Sequence, residues 1–272
     1  MTNWRRVLDH GYVQLVDHMG SDLSIVRSAR VSHDAVWRTG EDAGKDEKLL
    51  RYLLKNRHNT PLESVVFTFE VKAPIFVFRQ WHRHRTQSYN EVSARYTELP
   101  DEMYIPEIEM IGKQCTWNKQ VRTIGELSQD DRYHLERSLA VYEASIRNSY
   151  DAYKRLIGTF GWPRELARMV LPFAIYSKMF TTLNLHNLFH FLGLRLHPHA
   201  QYEIRVYAEA ILGLIRPIVP IAISGWLDSQ QSWKDYESML SILPSVRELL
   251  SSDISDDEAV EKLLRQRQRR AS

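Results

Sequence analysis

At 272 residues the chain is long enough to bury a sizeable core, and 43% hydrophobic with 26% charged residues is the balance of a water-soluble folded protein. Thirty-six Lys and Arg face 34 Asp and Glu, so no global field draws it to nucleic acid or to a membrane surface. One cysteine, Cys115, excludes an internal disulfide and suits a reducing compartment, and no apolar run reaches membrane-spanning length. With a charged, signal-free stretch at Met1–Asp9, a cytoplasmic protein is the expectation.

In chain order, Gly11–Asp17 reads as a first short strand. Ser21–Val31 reads as a helix with Ser21 or Asp22 at its cap, and Ser32–Gly44 as a loop. Lys45–Asn56 sets Leu49, Leu50, Leu53 and Leu54 on one helical stripe. Thr60-Pro61-Leu62-Glu63 has the form of a helix start, with Thr60 as cap, Pro61 first and Glu63 completing a capping box. Val66–Lys72 alternates as a half-buried strand, and Pro74–His82 follows as a helix opened by proline.

Arg83–Tyr96 reads Arg-His-Arg-Thr-Gln-Ser-Tyr-Asn-Glu-Val-Ser-Ala-Arg-Tyr. So many polar groups cannot be core, because each one buried without a partner costs roughly 2–7 kcal/mol. Two guanidinium forks flanking an imidazole suit phosphate, carboxylate or the edge of a planar heterocycle. The stretch is therefore expected to be a loop between rigid elements that binds an anionic, ring-bearing ligand.

Beyond it, Pro100–Ser128 is irregular. Asp130–Phe160 is the clearest helix, with Leu135, Leu139, Tyr142, Ile146, Tyr150, Tyr153, Ile157 and Phe160 recurring as a core stripe. A short helix follows at Arg164–Leu171, then a strand at Ile175–Leu183 and helices at Asn184–Leu196 and Ala200–Val219, the last stopped by Pro217 and Pro220. From about Gln230 the composition changes to an acidic, serine-rich segment and then a basic one. A helical or partly frayed extension over 230–272 is expected. Its arginines, Arg265, Arg267, Arg269 and Arg270, raise nucleic-acid binding as a minor alternative.

The string Arg-His-Arg-x-x-Ser-x-Asn-Glu-x-Ser-x-Arg-Tyr, complete over Arg83–Tyr96, resembles the signature of the flavin-dependent thymidylate synthases. His58-x-Thr60-Pro61-x-Glu63, Ala167-Arg168-x-Val170-Leu171-Pro172 and Arg195 before His199-Ala200-Gln201 agree with it, and the resemblance covers roughly residues 8–229. It implies an α+β fold of the thymidylate synthase-complementing type, a central and mainly antiparallel sheet flanked by helices, in a catalytic domain over 1–229. It implies a homotetramer with active sites shared between subunits. The implied reaction is reductive methylation of dUMP to dTMP, with 5,10-methylenetetrahydrofolate as carbon donor and NADPH-reduced FAD as hydride source.

Arg168 stands in the apolar run Leu166-Ala167-Arg168-Met169-Val170-Leu171-Pro172, which reads as an interior setting where an unpaired charge is costly and a bound anion is a natural partner. Carried over residue by residue, the resemblance puts Gln80, Arg83, Glu91, Ser93, Ala94, Arg95 and Arg168 on dUMP. Arg195 meets the pyrimidine ring and helps ionise N3, and His58 orients the flavin or folate edge. Thr60, Arg83, His84, Arg85, Glu91, Asn184, His186, His190 and His199 fall to FAD. The chain departs from the common form at Leu62 and Ser64, and at His186 and His190, where arginine and asparagine are usual. The i, i+4 pair His186 and His190, with His197 and His199, also offers a metal reading, which is disfavoured because no glutamate lies between the pair and no cysteine pair exists. Cys115 has no nearby base or helix start to activate it, and no Gly-x-Gly-x-x-Gly fingerprint is present, so the chemistry falls to a cofactor held by side chains.

Overall fold

Alternation along β3 (Val66–Pro74) sets the centre of the architecture. Phe67, Phe69, Val71 and Ala73 are fully buried, while Thr68, Glu70 and Lys72 keep partial access to solvent on the other face. In this computed structural model, residues 3–116 and 122–229 are described. β3 is the middle of a five-stranded sheet with β1 (Trp4–Val7), β2 (Gly11–Met19), β4 (Ser88–Glu91) and β7 (Tyr176–Asn184), in the order β1-β2-β3-β7-β4. The sheet is mainly antiparallel and flanked by helices, as expected. A two-stranded ribbon, β5 (Lys113–Gln114) and β6 (Arg122–Thr123), lies apart from it.

The chain divides into two compact units. The first takes the residues up to His18, Phe67–Leu183 and His199–Tyr207; the second takes Met19–Val66, Asn184–Pro198 and the residues from Ala208 on.

The first unit carries the sheet with α3 (Ile75–Trp81), α4 (Ile108–Ile111), the long α5 (Gln129–Gly158), α6 (Arg164–Ala167) and the start of α8 (Tyr202–Ile215). Its first strand, β1, was not legible in the sequence. Trp-Arg-Arg-Val buries only Val7, so the strand is held by backbone pairing to β2, with Trp4 opposite Gln14 and Val7 opposite Gly11. Gly11 has to be glycine: a Cβ there would fall 2.0 Å from the Tyr207 hydroxyl, which donates to the Lys72 carbonyl at 2.7 Å.

Ser128 caps α5 by accepting from the Asp131 N–H at 3.1 Å. Only Ile146 and Tyr153 of its stripe are fully buried. Leu135, Leu139, Tyr142, Tyr150 and Ile157 are half-buried, and Phe160 lies past the helix end, exposed. The stripe closes a second core of Leu99, Met103, Ala174 and Ile175, where the Tyr142 and Tyr150 hydroxyls donate to the carbonyls of Tyr104 (2.7 Å) and Leu99 (3.0 Å).

The second unit is helical: α1 (Asp22–Arg30), α2 (Ala43–Lys55), α7 (Leu185–Arg195), the end of α8, and α9 (Pro220–Ser229). Leu50, Leu53 and Leu54 of the expected stripe are buried, and α2 packs chiefly on α9. Asp22, at the start of α1, is buried and accepts from the first amides of α9, Ile221 at 2.8 Å and Ala222 at 3.0 Å. The sequence read Pro220 as a stop; it is the first residue of α9, a position where the missing amide hydrogen costs nothing. The expected capping box at Thr60 does not form either. Asn59 takes the cap position of a short 3-10 turn over Thr60–Ser64, with no side-chain cap bond, and Glu63 is exposed.

Candidate active site

In the first unit, α3 ends at the arginine string. Burial alternates there: His84 is 5% exposed, whereas Arg83 and Arg85 project into solvent and form no ion pair among the described residues. The string is not all loop as expected, because Ser88–Glu91 forms β4, paired antiparallel with β7 at its edge (Tyr89 opposite Thr181, Glu91 opposite Met179). Backbone pairing satisfies a polar segment that no side-chain alternation marks. Gln80, on the last turn of α3, hydrogen-bonds the Gln201 side chain. Glu91 is half-exposed, 3.9 Å from the His82 imidazole.

Ser93, Ala94 and Arg95 follow β4 directly. The Arg95 guanidinium lies 3.7 Å from the Glu165 carboxylate, and the Arg168 Nε donates to the Glu165 carbonyl oxygen at 3.2 Å. Two of the guanidinium groups read for nucleotide binding thus converge on one residue, Glu165, that the sequence did not single out. Arg168 itself is exposed, on a 3-10 turn over Arg168–Val170, and not in the apolar interior that its neighbours suggested. Leu166, Met169 and Phe173 are exposed as well, so the apolar text around Arg168 is surface. Cys115 is buried and is not in a disulfide. His199, placed on FAD from the sequence, is half-buried in this unit.

In the second unit, His58 and Thr60 are exposed beyond α2, His58 edge-on to the Tyr52 ring at 5.8 Å. The Asn184 carboxamide caps α7, accepting from the Asn187 N–H at 2.9 Å. The same helix places His186 and His190 on one face, where they line a cavity of about 1060 Å³. Arg51, Lys55 and Arg57, none of them singled out from the sequence, bring further positive charge to its wall, and among the described residues Asp228 is its one lining carboxylate. Arg51 and Lys55 lie on α2, flanking Leu54 of the leucine stripe, and Arg57 lies just beyond the helix. The wall also includes Phe189 and Trp226, stacked at 4.9 Å and 7°.

Arg195 closes α7, half-buried. Burial holds its guanidinium below the ordinary arginine range, so any developing negative charge beside it is strongly favoured. Among the described residues no cluster of three or more His, Cys, Asp or Glu is arranged to hold a metal ion, and no helix is long and apolar enough to cross a membrane.

These elements have close parallels in known proteins. The family model described as "Thymidylate synthase complementing protein" matches residues 14–221. A flavin-dependent thymidylate synthase of Thermus thermophilus is 47% identical over 216 residues, 79% of this chain and 75% of its own. The chain belongs to the flavin-dependent thymidylate synthase family.

Family relatives extend the match in both size and fold. The flavin-dependent thymidylate synthase of Thermosipho africanus is 44% identical over 82% of this chain and 93% of its own. That of Ruegeria pomeroyi is 41% identical over 93% of this chain and 82% of its own, a match that runs past residue 229. Among solved structures, a UMP/dUMP methylase, PolB of Streptomyces cacaoi with bound 5-Br dUMP, superposes with a TM-score of 0.72. It is 34% identical, and the match covers 82% of this chain and 97% of that one. Within the family pattern the chain keeps the whole arginine string. At Leu62 it has a fully buried residue, and at Ser64 a hydroxyl that donates to the Pro61 carbonyl at 2.7 Å. The segment 230–272, with its four arginines, lies outside the described residues.

Proposed function

We propose that this family member is a thymidylate synthase that converts dUMP to dTMP, taking the one-carbon unit from 5,10-methylenetetrahydrofolate and reducing equivalents from NADPH. FAD, held by the residues assigned to it below and reduced by NADPH, would supply the hydride that completes the methyl group. The balance is dUMP, methylenetetrahydrofolate, NADPH and a proton giving dTMP, tetrahydrofolate and NADP+. One observation carries the reading: the complete fourteen-residue string folds with Arg83 and Arg85 facing outward from a turn closed by a buried His84.

The residue roles are part of the proposal. Arg95 and Arg168, drawn together at Glu165, suit the nucleotide phosphate, with Gln80, Arg83, Glu91, Ser93 and Ala94 completing the dUMP set. The half-buried guanidinium of Arg195 is assigned to the uracil ring, where it holds the N3 anion; His58 orients the flavin or folate edge. FAD is assigned to Thr60, Arg83, His84, Arg85, Glu91, Asn184, His186, His190 and His199. What supports this set is the chemistry of the donors: exposed guanidinium groups that form no ion pair among the described residues for the pyrophosphate, and imidazoles of α7 beside a large cavity with a stacked aromatic wall.

Residues 1–229 are proposed as the catalytic domain and 230–272 as an appended segment. A chain cut after Ser229 that still turns over supports that division. A homotetramer with shared sites is proposed from the exposed apolar side chains Phe160, Trp162, Met169 and Phe173 of the first unit, and light scattering at the mass of four chains checks it. The single, buried cysteine suits a reducing compartment, with the cytoplasm as the proposed location, which fractionation of the source cells tests.

The test of the function is an absorbance spectrum of the purified protein followed by titration with dUMP and, separately, UMP. Flavin bands that shift on adding dUMP, with dTMP formed on adding both co-substrates, support the proposal. A protein that takes up no FAD overturns it, and a response to UMP in place of dUMP redirects it to a uridylate methylase.

A further inference from the structure

Among the polar residues of the arginine string without a part in the proposed chemistry, Tyr89 is tied to the backbone that presents the arginines and Gln87 to the buried side chains around it. Tyr89 is the second residue of β4, fixed opposite Thr181 by the strand pairing. Its hydroxyl lies 2.6 Å from the His84 carbonyl oxygen and 3.1 Å from that of Trp81. These carbonyls belong to the end of α3 and the turn after it, where helical backbone runs out of intrahelical partners. The His84 carbonyl is the peptide group between His84 and Arg85, so a bond to it fixes the direction in which Arg85 leaves the turn. The Tyr89 ring is held in turn by the His82 imidazole, edge-on at 4.8 Å and 70°.

Gln87 makes the second attachment. Its side-chain oxygen accepts from the Trp81 indole N–H at 3.2 Å and from the Thr181 hydroxyl at 2.9 Å, joining the end of α3, the turn and β7. Residues 82–88 are therefore closed at both ends onto buried structure: Trp81 is 1% exposed and Thr181 also 1%. Burial pushes the Tyr89 phenol up to about 12, so it stays a hydrogen-bond donor throughout the neutral range.

We propose that Tyr89 is a positioning residue of this enzyme, its hydroxyl holding the His84 carbonyl so that Arg85 stands ready for an anionic ligand. The competing reading is that Tyr89 merely fills space beside His82. Phenylalanine would serve that role equally, which makes the hydroxyl the decisive atom. The inference rests on the arginine turn binding FAD and dUMP.

The experiment compares wild type, Tyr89→Phe, Arg85→Ala and the double variant for FAD and dUMP dissociation constants, with Thr181→Val as an independent lesion of the second attachment. A neutral hydrogen bond that sets a loop is expected to shift FAD binding about five- to tenfold on removal. The effect of Tyr89→Phe should nearly vanish in the Arg85→Ala background, because the hydroxyl then has no guanidinium to place. Thr181→Val should weaken FAD in the same direction and by less. FAD and dUMP affinities unchanged in Tyr89→Phe, or a loss equally large with and without Arg85, overturn the proposal. If Tyr89→Phe does not fold, Thr181→Val alone decides it: unchanged FAD affinity overturns the proposal and a loss that depends on Arg85 supports it. A wild-type protein that binds no flavin defeats the proposed function instead, a result distinct from a yellow wild type with an indifferent Tyr89→Phe.

Discussion

The arginines divide by setting, and the setting decides what each substitution should do. Arg168 is exposed, and among the described residues its guanidinium is engaged through Nε alone, by the Glu165 carbonyl, which leaves the outer edge of the fork for a ligand. Arg168→Ala should raise the dUMP dissociation constant by at least tenfold, about 1.4 kcal/mol, in a titration of the flavin bands. Wild-type affinity would remove Arg168 from the phosphate site. Arg195 is the opposite case, a half-buried cation held below its usual range by desolvation. Lysine at 195 keeps the charge but loses the planar fork, so Arg195→Lys should lower kcat by about 10²-fold while FAD stays bound. A KM effect with unchanged kcat would make Arg195 a binding residue only. At this scale the sequence named residue types well and their surroundings poorly. Apolar letters around Arg168 read as an interior because hydropathy does not tell a buried helix face from an exposed 3-10 turn. Glu165 and the cations on and just beyond α2 stayed hidden because nothing local marks a single carboxylate, or a lysine and arginines along a helix, as lining anything.

Whole elements were legible where burial has a period. β3 shows its alternation in Phe67, Phe69 and Val71, α3 announces itself by Pro74, and α5 runs within a residue or two of its reading. β1 and β4 were not legible because edge strands with polar side chains owe their place to backbone bonds; the partner of β4, β7, is also remote in sequence, whereas β1 folds back on the adjacent β2. α9 was hidden by the double meaning of proline, a stop when read from α8 and a start when read forward. What fixes α9 is remote as well: Asp22, some two hundred residues away, accepts from the amides of Ile221 and Ala222. Asp22→Ala would leave two amides at a buried helix start without an acceptor. It should destabilise the protein by about 1–3 kcal/mol in urea unfolding, with Asp22→Asn intermediate because one oxygen is kept. A variant as stable as wild type would show that water replaces the carboxylate there and that α9 is held by its contact with α2 alone.

For the molecule as a whole, the tyrosines set a limit on the pH range in which the fold survives. Tyr104, Tyr176 and Tyr207 are buried in the first unit, and burial is the first cause raising each phenol above its ordinary value; the Glu203 carboxylate adds to the effect at Tyr104 and Asp9 at the other two. Tyr176 donates to Asp9, Tyr104 to Glu203 at 3.1 Å, and Tyr207 to the Lys72 carbonyl, so their protons join the sheet to the segments beside it. The sign of the linkage follows. Below the unfolded-state value of about 10, folded and unfolded chains both keep these protons, so their bonds contribute in full and stability does not change with pH on their account. As pH rises past about 10 the unfolded chain releases them while the folded chain retains them, so stability falls with increasing pH. Midpoints of thermal unfolding should therefore show no pH dependence from these tyrosines between pH 7 and 9 and should fall steeply from about pH 10. Tyr176→Phe removes one of the titrating groups. It should lower stability at pH 8 by the lost bond to Asp9, yet descend less steeply than wild type above pH 10. Parallel curves for the two proteins would mean that the alkaline loss comes from lysine and arginine pairs, and that the buried phenols only fill the core.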